Sequence, residues 1–292
     1  VWQDGAELVS LGADKNSYTA SGLDDGTLYD FAVTATDDDG FESEALEASF
    51  TTMTDYTAST VGAFDPDTAT WVLRNSVGDE TVFSFGNAGD QPIMGDWTCD
   101  GVDTPGVFRN GMVSLRFSNT GGAGEHTFMV GSAGDVAVAG DWNNDGCDSI
   151  GLHRPSTGEV FIWDELPDDG AIDPAFDVTY YFGNPSDKAF AGDFDGDGTD
   201  TIGLHRESTG LVYFRNSHTQ GNADNEFYFG NPADRLIAGD WGIVDGVDTP
   251  AVFRPSQTVW YFRHTNTQGN ADSQFTWGEE DWRPVAGAFG LG

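Results

Sequence analysis

From about residue 57 the chain repeats itself, and a repeat of this length constrains the fold more than any local propensity. MGDW at 94–97, AGDW at 139–142, AGDF at 191–194, AGDW at 238–241 and AGAF at 286–289 mark the units. Their glycines, Gly95, Gly140, Gly192, Gly239 and Gly287, are spaced by 45, 52, 47 and 48 residues. That period suits a four-stranded propeller blade. Residues 188–230 read as strands A to D, namely KAFAGDF, TIGLHR, LVYFRN and EFYFG, with DFDGDGTD between A and B and the turn ESTG between B and C. Composition points the same way. The 21 Phe, 9 Trp and 8 Tyr are interspersed with 39 Gly, and long helix-period segments are absent, so the class is all-β.

The first unit starts one strand late. Residues 61–75, VGAFDPDTATWVLRN, align without gaps to IGLHRPSTGEVFIWD at 150–164 and therefore begin at strand B. At the other end, PVAGAFG (284–290) is a strand A with nothing after it. Joining the two completes a blade and removes both open sheet edges. The expectation is a five-bladed β-propeller over 60–292, closed by the C-terminal strand joining the N-terminal blade.

Residues 1–53 stand outside the repeat. The run YTASGLDDGTLYDFAVTATDDDGFESEALEASFTT resembles the C-terminal half of a fibronectin type III domain, with Leu23, Tyr29, Phe31, Val33 and Ala35 matching its GL-turn, tyrosine corner and alternating strand. The resemblance implies a partial β-sandwich over 1–53, followed by a linker at 54–59. The missing strands are expected upstream in a longer native chain, with supply by a neighbouring subunit as the alternative.

Four loops between strands A and B carry the chemistry. Asp193, Asp195, Asp197 and Asp200 place carboxylates at alternate positions of a tight turn, converging oxygens on one point. That arrangement suits Ca²⁺, which takes six to eight oxygen ligands, and Gly198 permits the bend. Asp141, Asn143, Asp145 and Asp148 keep four oxygen side chains. Asp96, Thr98, Asp100 and Asp103 have one carboxylate fewer than the 193–200 loop. In the last loop an extra residue separates Asp240 from Asp245 and Asp248, and the middle position falls to Gly242 or Ile243. The expectation is three to four structural Ca²⁺ ions.

These loops resemble those of FG-GAP or VCBS repeats, found in integrin-α-type propellers and related bacterial surface proteins. The resemblance rests on D-x-[DN]-x-D-G following a G-D-[WF] strand end, covers 60–290, and implies that the metal staples the two inner strands of each blade. The family loop has two residues between its Gly and final Asp, whereas one follows Gly198 here. Direct and water-mediated binding by Asp200 both stay open.

Net charge bounds the partners. Against 12 basic residues stand 49 acidic ones, for a formal charge of −37, which disfavours nucleic acid and anionic lipid. Such acidity, with lysine only at 15 and 188, fits a halophilic surface or an ordinary extracellular calcium-binding protein. No segment approaches the roughly 18 apolar residues of a membrane span, so no membrane insertion is expected. Cys99 and Cys147 lie in consecutive loops, and a disulfide between neighbouring blades or two free thiols are both open.

Other recurring residues read as structure. His153 and His205 share a position with Phe64, Phe108 and Phe253, which indicates packing. Arg109, Arg154, Arg206 and Arg254 end strand B and have Asp90, Asp135, Asp187 and Asp234 as partners, or cap loop carbonyls. Trp97, Trp142, Trp241 and Phe194 fill gaps between blades. The C–D loops at 218–226 and 264–274, amide-rich and flanked by Tyr213, Tyr228, Tyr261 and Trp260, are candidates for sugar contact. No Ser-His-Asp grouping, HExxH, phosphate loop or Cys-rich zinc cluster appears, so no catalytic residue is assigned and the chain reads as non-enzymatic. The expected role is a secreted or cell-surface adhesion or carbohydrate-binding module with a glycan or protein ligand. The alternatives are an accessory module of a secreted hydrolase and a structural subunit of a surface layer or filament.

Overall fold

The computed structural model describes residues 2–3, 6–7, 28–36, 39, 41, 43–51, 59–241 and 245–291. The chain divides into two compact units, Val1–Tyr56 and Thr57–Gly292. In the first, strands β1 (Trp2–Gln3), β2 (Ala6–Glu7), β3 (Leu28–Val33) and β4 (Leu46–Thr51) form an antiparallel sheet in the order β2-β1-β3-β4. Tyr29, Phe31 and Val33 lie on β3, whose Phe31 pairs with Ala48 of β4. Leu23 of the expected GL-turn lies outside the described residues.

The second unit is a five-bladed β-propeller of five four-stranded antiparallel sheets in a ring. Blade 1 takes β5 (Thr60–Asp65), β6 (Thr70–Arg74) and β7 (Glu80–Ser84) from the start of the unit. Blade 2 is β8 (Gln91–Gly95), β9 (Thr104–Arg109), β10 (Met112–Leu115) and β11 (His126–Met129). Blade 3 is β12 (Val136–Gly140), β13 (Ser149–Arg154), β14 (Glu159–Ile162) and β15 (Val178–Tyr181). Blade 4 is β16 (Lys188–Gly192), β17 (Thr201–Arg206), β18 (Leu211–Phe214) and β19 (Asn225–Tyr228). Blade 5 is β20 (Arg235–Gly239), β21 (Thr249–Arg254), β22 (Val259–Phe262) and β23 (Ser273–Thr276). The last strand, β24 (Arg283–Gly287), returns to blade 1 and pairs with β5, Arg283 opposite Phe64 and Gly287 opposite Thr60. The surplus strand A thus fills the vacancy that the shifted alignment of 61–75 predicts.

The innermost strands β8, β12, β16, β20 and β24 touch one another round the ring and line an axial cavity. No blade makes its core alone. One apolar cluster joins Trp97 and Phe108 of blade 2 to Ile150 and Leu152 of blade 3. The next joins Trp142 and Val160 of blade 3 to Ile202 and Leu204 of blade 4. Phe194 and Phe214 of blade 4 pack with Val252 of blade 5, and Trp241 and Phe262 of blade 5 with Val61 of blade 1. Each blade is therefore completed by its neighbours, which makes closure of the ring a condition for burying the two end blades. His153 and His205 are buried at the position filled elsewhere by Phe64, Phe108 and Phe253.

The recurring arginines and aspartates meet as side-chain pairs. Asp135 Oδ1 and Oδ2 accept from Arg154 Nε and Nη2 at 2.8 and 2.9 Å, and Asp187 accepts from Arg206 at 2.9 and 2.9 Å. Asp234 accepts likewise from Arg254 at 2.9 and 2.7 Å, and Asp90 pairs with Arg109. These forks lie where strand B ends and strand A begins. Burial alone would push the Asp187 carboxyl up, but Arg206, Tyr213 Oη–H and the Asn184 N–H together hold it below the usual carboxylate value.

Candidate metal centre

The four acidic loops leave the opposite ends of the innermost strands, so all lie at one end of the ring. Each is built on the same two carboxylate-to-backbone bonds, of which the second is an Asx turn. Its first aspartate accepts backbone N–H bonds from within the loop: Asp96 Oδ2 from Gly101 at 2.7 Å, Asp141 Oδ2 from Gly146 at 2.8 Å, Asp193 Oδ2 from Gly198 at 2.8 Å and Asp240 Oδ2 from Gly246 at 2.9 Å. A later acid accepts from the residue two positions on: Asp100 from Val102, Asp145 from Cys147, Asp197 from Thr199 and Asp245 from Val247. Aspartate recurs at alternate positions because its short carboxylate reaches its own backbone two residues along.

Only in the 193–200 loop, among the described residues, do three carboxylates converge. Oxygens of Asp193, Asp195 and Asp197 all lie within 4.8 Å of one another. Burial, then the neighbouring Asp197 and Asp193, push the Asp195 carboxyl up. A set of hard anionic oxygens that disfavour one another's ionisation is suited to a divalent cation such as Ca²⁺, which would supply the missing countercharge. In the 141–148 loop, Asn143 Nδ2 donates to Asp145 Oδ2 at 3.0 Å, and Asn143 Oδ1 accepts the Asp145 N–H at 3.1 Å. In the 96–103 loop Thr98 stands between Asp96 and Asp100, and its N–H donates to Asp96 Oδ1 at 3.3 Å. In the last loop Asp240 and Asp245 are described, whereas Gly242 and Ile243 lie outside the described residues.

The final aspartate of each loop bonds across the blade boundary through one of its oxygens. Asp200 Oδ2 accepts the N–H of Asp141, in the preceding blade, at 2.8 Å, and the Asp200 N–H donates to the Asp141 carbonyl at 2.8 Å. The same reciprocal pair joins Asp148 to Asp96 (2.8 and 3.0 Å), Asp248 to Asp193 (3.1 and 2.6 Å) and Asp103 to Ala288 (2.6 and 2.8 Å). At the fifth junction Ser59 Oγ receives the Asp240 N–H at 3.1 Å. Asp103, Asp148, Asp200 and Asp248 therefore act as blade-to-blade staples, and Asp200 is not among the three converging carboxylates. The glycine that marks every repeat makes room for this contact. A Cβ at Gly192 would lie 2.6 Å from Asp248 Oδ2, and one at Gly287 2.5 Å from Asp103 Oδ2.

Backbone hems in these four carboxylates although each keeps some solvent-accessible surface. Desolvation pushes Asp148 and Asp248 up to about 7, and desolvation with repulsion from Asp148 raises Asp103 and Asp200 well above the usual carboxylate range.

Cys99 and Cys147 are joined in a disulfide, their Cα atoms 4.5 Å apart, which ties the first acidic loop to the second across a blade boundary. Two asparagines of C–D loops also bind the acidic loops. Asn119 Nδ2 donates to the carbonyls of Asp103 (3.0 Å) and Phe289 (2.9 Å), and Asn266 Nδ2 to those of Asp248 (2.9 Å) and Phe194 (3.3 Å). Their signal in the sequence is an Asn two or three residues before the loop glycine, Gly121 or Gly269, legible only once these loops are known to fold inward. That inward fold corrects part of the sugar-contact expectation. Tyr213 and Trp260 are buried, whereas Tyr228 is 53% exposed. Arg215 is turned into its own loop, donating to the Asn222 carbonyl and Thr219 Oγ1 at 2.8 Å each.

No protein-family model matches this chain and a search of curated proteins returns no match, so what the fold presents is read from its own geometry.

Proposed function

We propose that this chain is an extracellular, calcium-stabilised binding module without catalytic chemistry, whose propeller offers a rigid face to a glycan or protein partner. The convergence of Asp193, Asp195 and Asp197 carries the reading, since three carboxylates within 4.8 Å form an oxygen site that a hard divalent cation completes. Asp141, Asn143 and Asp145 form the next-best donor set, followed by Asp96 with Asp100, and then Asp240 with Asp245. The disulfide between two of these loops supports an oxidising compartment. On this reading the loops are FG-GAP/VCBS-like, and the upstream unit is part of a fibronectin type III-like sandwich. The formal charge of −37 suits a protein that works where salt screens self-repulsion.

The metal's role is structural. A site held tenfold above its dissociation constant adds about 1.4 kcal/mol to stability. Thermal melts with Ca²⁺ and with chelator, each at low and multimolar NaCl, test this. The expected result is a chelator-induced fall in Tm at both salts. Identical melts with and without the metal would leave the loops as an acidic, salt-adapted surface.

A further inference from the structure

At the end away from the acidic loops, the innermost strands open with Gln91, Val136, Lys188, Arg235 and Arg283. These five equivalent positions ring one mouth of the axial cavity, which has a volume of about 290 Å³. The three cations stand on consecutive blades 4, 5 and 1, and the amide and the valine complete the circle. In a chain with 12 basic residues against 49 acidic ones, three cations on one small opening are a concentration of positive charge.

Their charge is not consumed by the protein. Asp90, Asp135, Asp187 and Asp234 each precede an innermost strand, but each is already matched by Arg109, Arg154, Arg206 or Arg254. Among the described residues no carboxylate lies within 4.0 Å of the charged nitrogens of Lys188, Arg235 or Arg283. Glu207, the acidic residue lining this cavity, is beyond that distance. The two guanidinium groups are nevertheless held in place. Arg283 Nη1 donates to the Asp90 carbonyl at 2.7 Å and Arg235 Nη1 to that of Trp282, while their Nε and Nη2 groups have no protein acceptor among the described residues. Burial and the facing Arg235 both lower the Arg283 pKa, so the pair repel each other across a partly desolvated opening.

We propose that this mouth is a binding site for an oxyanion group, carboxylate or sulfate, of a ligand slender enough to enter the axial cavity. Two anchored guanidinium forks supply directed N–H donors of the kind that match planar or tetrahedral oxyanions, and Lys188 adds a mobile point charge. Gln91 is turned across to blade 3, its Nε2 donating to the Ala137 carbonyl at 2.7 Å, and with Val136 leaves that side of the opening uncharged. The site deepens the binding-module reading and rests on it, though not on its calcium half.

Calorimetric titration of the whole chain, in Ca²⁺ and about 0.15 M NaCl, with sulfate, glucuronate and methyl glucoside at millimolar concentration tests it. Sulfate and glucuronate are expected to saturate a single site, and the neutral glucoside to give no heat. Tighter binding of glucuronate than of sulfate assigns the group to an acidic saccharide, and the reverse assigns it to a free anion. Arg235→Gln/Arg283→Gln should weaken binding at least about tenfold while keeping the wild-type melt and Ca²⁺ response. Lys188→Gln, at an exposed side chain, should weaken it less and guards against a fold defect in the double variant. Absence of anion binding, equal binding of the glucoside, or undiminished binding by the double variant would overturn the site. The Ca²⁺ melt reads the metal assignment separately.

Discussion

Where the innermost strands begin, Asp90, Asp135, Asp187 and Asp234 each meet an arginine fork; where the same strands end, Asp103, Asp148, Asp200 and Asp248 meet only backbone N–H groups of the preceding blade. Both sets recur with the repeat and both join parts that sequence keeps apart. The first end carries its countercharge in the chain and has cations left over at Lys188, Arg235 and Arg283. The second carries carboxylates without side-chain cations and adds the Asp193, Asp195 and Asp197 cluster to them. On our reading the difference leaves one end self-sufficient and the other reliant on its disulfide and on metal. Desolvated carboxylates need hydrogen bonds and compensating charge, and on our reading the compensation here comes from outside the chain.

The largest test of that contrast acts on the covalent tie. Cys99→Ser/Cys147→Ser frees a loop whose ends are 48 residues apart, and the entropy model puts the loss at about 4 kcal/mol. Denaturant unfolding of the variant and of wild type should show it, and reductant should lower wild type alone. Equal midpoints would mean that the acidic end holds itself together without the crosslink.

Next comes a paired comparison between the ends. Asp187→Asn leaves Arg206 without its fork partner and weakens the Tyr213 contact, for a loss of about 3 kcal/mol. Asp200→Asn keeps an oxygen able to accept the Asp141 N–H and should cost about 1 kcal/mol or less. Chemical denaturation at pH 7 checks both. A larger cost at Asp200 than at Asp187 would break the distinction between charge-paired and backbone-paired aspartates.

Smaller still is the effect of a single metal ligand. Asp195→Asn should remove about 1.4 kcal/mol of Ca²⁺-dependent stability, a Tm difference of about 3 °C in a domain of this size, and leave the chelated protein nearly unchanged. Asp200→Asn should keep most of the Ca²⁺ response, because its carboxylate serves the neighbouring blade. Differential scanning calorimetry with and without Ca²⁺ separates the two. If Asp200→Asn abolishes the response and Asp195→Asn does not, the metal lies between blades.

How much of this is legible in the chain follows from where partners sit. Blade count and closure come from the gapless match of 61–75 to 150–164 and from the orphan strand at 284–290, because strand order inside a blade is local. The arginine forks are legible because Asp187 and Arg206 recur in step in successive units. The destination of Asp200 is not. In a repeat, its own loop and the preceding one offer the same groups, and only blade spacing decides between Asp197 and the Asp141 backbone. Ser59 and Ala288, which complete the staples at the closing blade, carry no aspartate motif at all. The cationic mouth is hidden for the opposite reason: Gln91, Val136, Lys188, Arg235 and Arg283 occupy one position but do not recur as a type.

The smallest expected effect at neutral pH concerns His205, which borders the charge-matched end and lines the axial cavity. Both its ring nitrogens are buried without a partner among the described residues, and burial pushes the imidazole down to about 4. Phe64, Phe108 and Phe253 fill the equivalent position, so His205→Phe should be accommodated and change stability at pH 7 by about 1 kcal/mol or less. The consequence lies in the pH profile. The folded protein holds this histidine neutral down to about 4, whereas the unfolded chain binds a proton near 6.5, so wild type loses stability as pH falls from 6.5 to about 4. Carboxylates titrate in both proteins, so the difference between the two unfolding curves isolates the histidine. The variant should gain on wild type steadily through that window and by a constant amount below it. Parallel curves would mean that His205 keeps its solution pKa inside the ring, and that this end tolerates a buried charge as readily as the acidic one.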